Sequence, residues 1–390
     1  MTRDAAAVAL DGGDLPLGPL LALVRPALAA LEPGGAIAVL SSSREISDDL
    51  PAWCRVERHE YLGREDAGDG VQCHLVARGE LGVTVTVDGG ERASPSTGFA
   101  PRGARSEVGG PSYPFDLVEA RRVAPPGCAE LYAQAVESAW SAREIPWDTM
   151  RCHGPFLDGA IAQTFTFLAE NELSALYVPS RFLPRIHPAY AEVAMLLAAQ
   201  LSDEARHVDV FLRRARAAGG GGTSSVTTQH SLRALLLLDD FLEASFLLAV
   251  LGEGTFLDLL RYVEEHAPDD ATLQIARRAR VDEARHVHFG LLHVRHALAG
   301  DPAAAGRLIH AARRRAASLP AGSTVPPAVA DALTRLAAVD ATPRALARGH
   351  EAFRELLVSM DDGRRRRLES AGFTTAQAQE ISGLHTPNFM

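Results

Sequence analysis

Two stretches of the chain, LSDEARHVDV at 201–210 and RVDEARHVHF at 280–289, share the five letters Asp-Glu-Ala-Arg-His. Each block contains Glu-x-x-His: Glu204 with His207, and Glu283 with His286. On a helix, residues three apart lie on one face about one turn apart, so a carboxylate and an imidazole point the same way and can share a metal ion. Two such helices, each joined by a Glu from a neighbouring helix, build a two-metal carboxylate centre inside a four-helix bundle. A lone Glu-x-x-His is ordinarily a surface ion pair. Two copies of the whole block, each preceded by a Glu 30 to 34 residues upstream, favour the metal reading.

For the second block that Glu is Glu253, in LAVLGEGTFL. The helices expected at 228–266 and 270–299 place Glu253 and Glu283 each about 13 residues from the turn, or ~20 Å at the helical rise, so antiparallel packing sets them at one height. Glu243 falls ~15 Å too far along and is assigned outside the centre. For the first block FLAENELSALYV offers Glu170 and Glu172. Glu172 shares a stripe with Phe165, Leu168 and Leu176 and is favoured; Glu170 is the alternative. Four carboxylates balance two divalent ions, and oxygen donors with two imidazoles suit iron or manganese rather than zinc or copper. Asp203 and Asp282 stand on the helix flanks, where each can accept the N–H of the opposite helix's His. Arg206 and Arg285, three residues after each Asp, can neutralise them.

These blocks sit in a chain of 390 residues with 47% apolar residues and net charge −10. The acidic balance argues against nucleic-acid binding. The four cysteines show no zinc or disulfide spacing. No apolar run is long enough to span a membrane and no export signal is visible, so a soluble cytoplasmic protein is expected. RRRR at 364–367 is expected to be a solvated helix face. Residues 1–90 read as α/β, with strands at AAVAL, AIAVL, VQCHLVARG and LGVTVTVDGG and two helices. Residues 91–126, rich in Gly, Pro and Ser, read as a linker. Residues 127–300 read as a helical bundle, with helices at 127–143, 156–178, 188–217, 228–266 and 270–299, and 301–390 as a helical extension.

DEARH twice, with AENELSALY before it, resembles the ferritin-like non-haem di-iron oxidases and oxygenases. The resemblance covers about 127–300. It implies an antiparallel four-helix core that holds two irons (Fe/Fe, with Mn/Fe also compatible) on Glu172, Glu204, His207, Glu253, Glu283 and His286, and that activates O2. Where radical-generating ribonucleotide reductase subunits carry Tyr, this chain has Phe211, so no stable tyrosyl radical is expected. Where arylamine N-oxygenases carry an extra ligand His, it has Ala279. The N-terminal LDGGDLPLGPLLALVRPALAALEPGGAIAVLSSS and WCRVERHEYL resemble the TusA/SirA sulfur-carrier domain, a small βαβαββ sandwich. That family's Cys stands before a Pro; here Leu15 precedes Pro16, so docking or scaffolding is expected rather than sulfur transfer.

The expected whole is thus a multidomain chain: a βαβαββ two-layer sandwich, then a ferritin-like four-helix bundle with extra C-terminal helices. The expected activity is oxidation of a small organic substrate by O2 in a biosynthetic or tailoring pathway. The alternatives are a ferritin- or rubrerythrin-type iron oxidase or peroxide scavenger, or a non-enzymatic sulfur-trafficking protein. No NAD or flavin fingerprint is present, so an external electron donor is expected. Phe165, Phe182, Phe211, Phe246, Phe256 and Phe289 are candidates to line an apolar substrate pocket. A homodimer is compatible with this reading.

Overall fold

A computed structural model describes residues 6–79, 84–320 and 325–385. The chain forms two compact units, the first of residues 1–88 with 94–113, the second of 89–93 with 114–390.

The first unit is built on β1 (Val8–Asp11), α1 (Leu17–Ala29), β2 (Ala36–Ser41), α2 (Ile46–Val56), β3 (Glu60–Gly68) and β4 (Val71–Ala77). Its sheet runs β1-β2-β4-β3, with β1 parallel to β2 and the other pairs antiparallel. Both helices cover one face. Leu20, Val24 and Leu28 of α1 and Ile46 and Leu50 of α2 close over Ile37, Val39 and Val76, nearly all fully buried. Successive strand residues face opposite sides, so this packing selects alternate positions of β2.

The order is the expected βαβαββ, but its last two strands are not the expected pair. β3 lies in a stretch that sequence left unassigned. It is an edge strand whose exposed residues, REDAG among them, show no apolar alternation. The turn into β4 is Asp69-Gly70, both at positive φ (52° and 78°), the backbone that a tight hairpin demands. LGVTVTVDGG instead supplies β5 (Thr84–Thr86), which pairs with β6 (Arg105–Glu107) in a separate ribbon. Residues 91–126 are therefore not a linker throughout, since β6 and a 3-10 turn at Pro95–Thr97 lie within them.

The second unit opens with α3 (Ala120–Val123) and α4 (Cys128–Glu137), shorter than the expected 127–143. Its central helices are α5 (Pro155–Ser180), α6 (Ala191–Ala217), α8 (Phe241–Ser245) continued by a π-helical segment (Phe246–Glu253) and α9 (Gly254–Glu265), and α10 (Asp270–Gly300). α5 packs along α6, α9 along α10, and α10 meets α6. The expected single helix 228–266 is broken. α7 (Val226–Leu236) stops, and Asp240 starts α8 by accepting the Glu243 N–H at 3.0 Å. The Leu-rich run across this break hid it, because periodicity alone does not register a side-chain cap. α11 (Ala304–Ser318), α12 (Pro327–Ala338), α13 (Pro343–Ala371) and α14 (Thr375–His385) complete the unit. α12 and α13 brace α5 and α9 respectively.

Among the described residues no helix is long and apolar enough to cross a membrane. The chain contains no lysine, so each of its 39 basic side chains is an arginine guanidinium. The RRRR run is not a wholly solvated face: the Arg364 side chain is 2% exposed and bonds Thr255 and Ser382, and that of Arg367 is 14% exposed beside Asp258.

One buried histidine on α10 makes the unit pH-sensitive. His293 Nδ1 accepts from the Ser245 hydroxyl at 2.9 Å, and its Nε2–H donates to the Arg122 carbonyl at 2.7 Å. Burial pushes the imidazole down to about 4, with the Arg122 carbonyl bond opposing. The neutral ring is favoured in the fold, so this stability is complete above the unfolded value of ~6.5 and is lost as pH falls toward 4. Between pH 7 and 5 the loss from this group is about 2 kcal/mol. Urea titrations at the two pH values should show that increment in the wild type and its removal in His293→Gln.

Candidate metal centre

Six side chains from four helical elements converge in the interior of the second unit. α5 supplies Glu172, α6 supplies Glu204 and His207, the end of the π segment supplies Glu253, and α10 supplies Glu283 and His286. All six are buried, none more than 5% exposed. They form two overlapping groups, Glu172, Glu204, His207, Glu283 and Glu204, Glu253, Glu283, His286, with ligand atoms within 4.8 Å of one another in each. Glu204 and Glu283 belong to both, so either could serve two ions held side by side. Glu170 stays outside, bonded to the Ser224 hydroxyl. Glu243 lies elsewhere, paired with Arg314 at 2.5 Å.

Both imidazoles turn Nδ1 toward the carboxylates. His207 Nδ1 is 3.5 Å from Glu172, 3.4 Å from Glu204 and 3.3 Å from Glu283. His286 Nδ1 is 2.9 Å from Glu204 and 3.6 Å from Glu283. Eight atoms here are buried without a hydrogen bond: Glu172 Oε1, both oxygens of Glu204 and of Glu283, Glu253 Oε2 and the two Nδ1 atoms. Buried polar atoms are almost always partnered. Eight orphans aimed into one space, from four carboxylates and two imidazoles, fit two metal ions.

The electrostatics agree. Burial, then repulsion from Glu283 and Glu204, pushes the Glu172 and Glu253 carboxyls well above the usual range. Burial opposes charge on both imidazoles, yet the surrounding carboxylates raise them above the ordinary histidine value. Without cations the cluster therefore holds protons in their place.

Behind the imidazoles the two blocks cross. His207 Nε2–H donates to Asp282 at 3.2 Å, and His286 Nε2–H donates to Asp203 at 3.2 Å. Each Asp thus fixes the ring of the other helix and leaves Nδ1 free for a metal. Arg206 bonds Asp203 and, at 3.0 Å, Asp282; Arg285 bonds Asp203 at 3.1 Å and Asp282 at 2.5 Å. The Asp282 carboxyl is held well below the usual range: burial opposes, but His207 and Arg285 outweigh it.

Two contributors were not found from sequence. The Trp140 indole N–H donates to Asp282 at 2.7 Å, and the ring lies beneath the guanidinium of Arg206 at 4.7 Å. A single Trp in an irregular stretch leaves no spacing signal. Gln200 donates to Glu253 Oε1 at 3.3 Å. Its signal was present, since it stands one turn before Glu204 on the same face of α6.

The phenylalanines divide. Phe165 packs on Phe211 (5.6 Å), which stacks on His207 (6.0 Å); Phe246 packs on Phe373 (5.7 Å) and Phe256 on Phe167 (6.0 Å). None of Phe165, Phe211, Phe246 and Phe256 is among the residues that line the apolar cavity of about 20 Å³ between α5, α6, α8 and α10. Phe182, Phe289 and the unforeseen Phe241 line it, with Leu197, Leu248 and Gln200. Gln200 thereby touches both the cavity and the cluster carboxylate Glu253.

Asp282→Asn keeps the shape and removes the charge behind His207. Metal affinity measured by competition with a chelator should fall about 10- to 100-fold.

No family model and no curated protein matches the chain. Among solved structures it is similar to R2-like ligand-binding oxidases. With a single-site variant carrying an aerobically reconstituted Mn/Fe cofactor it shares 17% identity, over 62% of this chain and 93% of that one, at a TM-score of 0.46. With another variant, carrying an Fe/Fe cofactor, it shares 17% over 62% and 92%, at 0.43. The case for a metal centre in this chain is carried by the cluster itself.

Proposed function

We propose that the protein is a two-metal oxidoreductase of the ferritin-like di-iron kind, which uses O2 to oxidise a small organic substrate. One observation carries the reading: two buried groups of three carboxylates and one imidazole that share Glu204 and Glu283. Glu172 and His207 would complete the site of one ion, Glu253 and His286 that of the other. Oxygen and imidazole donors without thiolate suit iron, as Fe/Fe or with manganese at one position. Bound there, such a pair supplies the redox chemistry by which O2 is reduced.

The chain's own residues do the rest. The crossed Asp203 and Asp282 hold both imidazoles in the tautomer that presents Nδ1 to the metals. Arg206 and Arg285 spread compensating positive charge over the two Asp. Phe211, stacked on His207 and backed by Phe165, would keep bulk water from that side of the cluster. The gap lined by Phe182, Phe241 and Phe289, with Gln200 steadying Glu253 at its edge, is about 20 Å³, room for a group the size of water or O2, so a larger apolar substrate would have to part these rings. Electrons come from an external donor, since no nucleotide-binding fingerprint occurs. The first unit has the βαβαββ order of TusA/SirA-like domains, but Leu15 precedes Pro16, which favours a docking role over sulfur transfer.

The test is elemental analysis of protein expressed with added iron. The expected result is about two irons per chain in the wild type, as two-metal bundle sites hold, and loss of most of it in Glu204→Ala, which removes a ligand common to both positions. A folded wild type without iron or manganese overturns the proposal. Oxygen uptake that stops once the metal is oxidised, whatever organic compound is present, would indicate iron handling instead.

A further inference from the structure

A second cavity, of about 490 Å³, opens between α7, α8 and α11. Its wall carries four basic side chains, His230 and Arg233 from α7 and Arg314 and Arg315 from α11, and three acids, Asp239, Asp240 and Glu243. Each acid already has a guanidinium. Asp239 pairs with Arg181 at 3.0 Å, Asp240 with Arg122 at 2.7 Å and Glu243 with Arg314 at 2.5 Å. Two of those arginines, Arg181 and Arg122, do not line the cavity. Arg233 and Arg315 form no ion pair among the described residues, so positive charge is left over in the cavity wall.

Arg315 is the unusual member. It is 7% exposed, yet among the described residues its hydrogen bonds go only to the Ser231 hydroxyl at 2.5 Å and to His385 Nδ1 at 3.4 Å. Its Nε has no partner. Burial pushes the guanidinium down to about 10, and no carboxylate among the described residues opposes it. Buried charges in proteins are ordinarily paired, because an uncompensated one is costly. A guanidinium matches carboxylate and phosphate oxygens in both charge and geometry.

We propose that this cavity binds a small molecule bearing an oxyanion, carboxylate or phosphate, whose negative group is neutralised by Arg315 from below and Arg233 at the rim. Ser231 orients Arg315 and stands two residues before Arg233 on the same helix, so α7 contributes to both contacts. The volume leaves room for a body of several heavy atoms beyond the anion. Since the groove lies apart from the carboxylate cluster, its occupant is a ligand distinct from whatever is oxidised there.

The test is calorimetric titration of the metal-loaded full chain at constant ionic strength, with inorganic phosphate and, separately, with malonate. One saturable site for at least one of them, with Kd below about 1 mM, is expected. The tighter of the two identifies a phosphorylated or a carboxylate ligand. Arg315→Met should weaken binding about tenfold or more, as loss of a charge-assisted bond does. Arg233→Ala, at the cavity rim, should weaken it about threefold while the fold is kept. If Arg315→Met does not fold, Arg233→Ala decides. Failure of both anions to saturate by about 10 mM, or wild-type binding by the variants, overturns the proposal. Metal content measured on the same samples reports separately on the cluster.

Discussion

Four carboxylates confined to one dry space repel one another, and the second unit is arranged around that repulsion. At an effective dielectric of about 20, two unit charges 4 Å apart interact by about 4 kcal/mol. Glu172, Glu204, Glu253 and Glu283 make several such contacts. A bundle forced to hold them needs compensating charge in reach of every one. Two imidazoles stand inside the cluster, and a ring of Asp203, Asp282, Arg206 and Arg285 stands behind them. Its two carboxylates and two guanidiniums cancel, so it stiffens the imidazoles without adding to the imbalance. The remaining deficit is what two divalent ions would fill.

The helical supports answer this demand. α6 and α10 each carry a complete Asp-Glu-x-Arg-His block, so five residues supply two ligands on one face and, on its flanks, the counter-cation and the acid that orients the other helix's imidazole. Glu253 arrives differently, at the end of a π-helical segment. A π turn holds one residue more than an α turn and so rotates the next stretch of helix around its axis. Phe246–Glu253, all buried, are wound this way, and regular helix resumes at Gly254. The departure from α geometry falls on the residues that lead to a cluster carboxylate, where such bulges commonly serve a site.

The repeated block was readable because its information is local: spacing of three on a helix fixes a shared face whatever the tertiary setting. Glu253 was placed by counting residues from the α9–α10 turn. The count works because that stretch is regular α-helix, the π turns lying on the far side of Glu253. Trp140, the α7–α8 break and the cavity-lining Phe241 were not readable. Trp140 and Phe241 depend on what a side chain meets across the fold; the break is local, an Asp240 cap masked by the unbroken Leu-rich period. β3 escaped for the opposite reason: an edge strand facing solvent keeps polar residues and shows no period. Glu170 and Glu172 differ by two positions, which turns the side chain by more than half a circle, so only packing against Ser224 on one side and the cluster on the other separates them.

A chain with arginine as its only basic residue apart from histidine has a further property. Guanidinium groups stay protonated far into the alkaline range, whereas lysine ammonium begins to discharge near pH 10. Apart from the buried Arg315 and Arg364, which burial pushes down to about 10, the positive half of this protein's charge is thus nearly invariant above neutral pH, and alkaline titration falls mainly to Tyr and Cys. Nor does any side chain offer an amine: acylation, Schiff-base formation and lysine-directed tagging have no side-chain target in this sequence. Reagents that attach through side-chain amines would pass over its whole folded surface, and carboxyl- or thiol-directed chemistry, at residues such as the exposed Cys152, would have to serve instead.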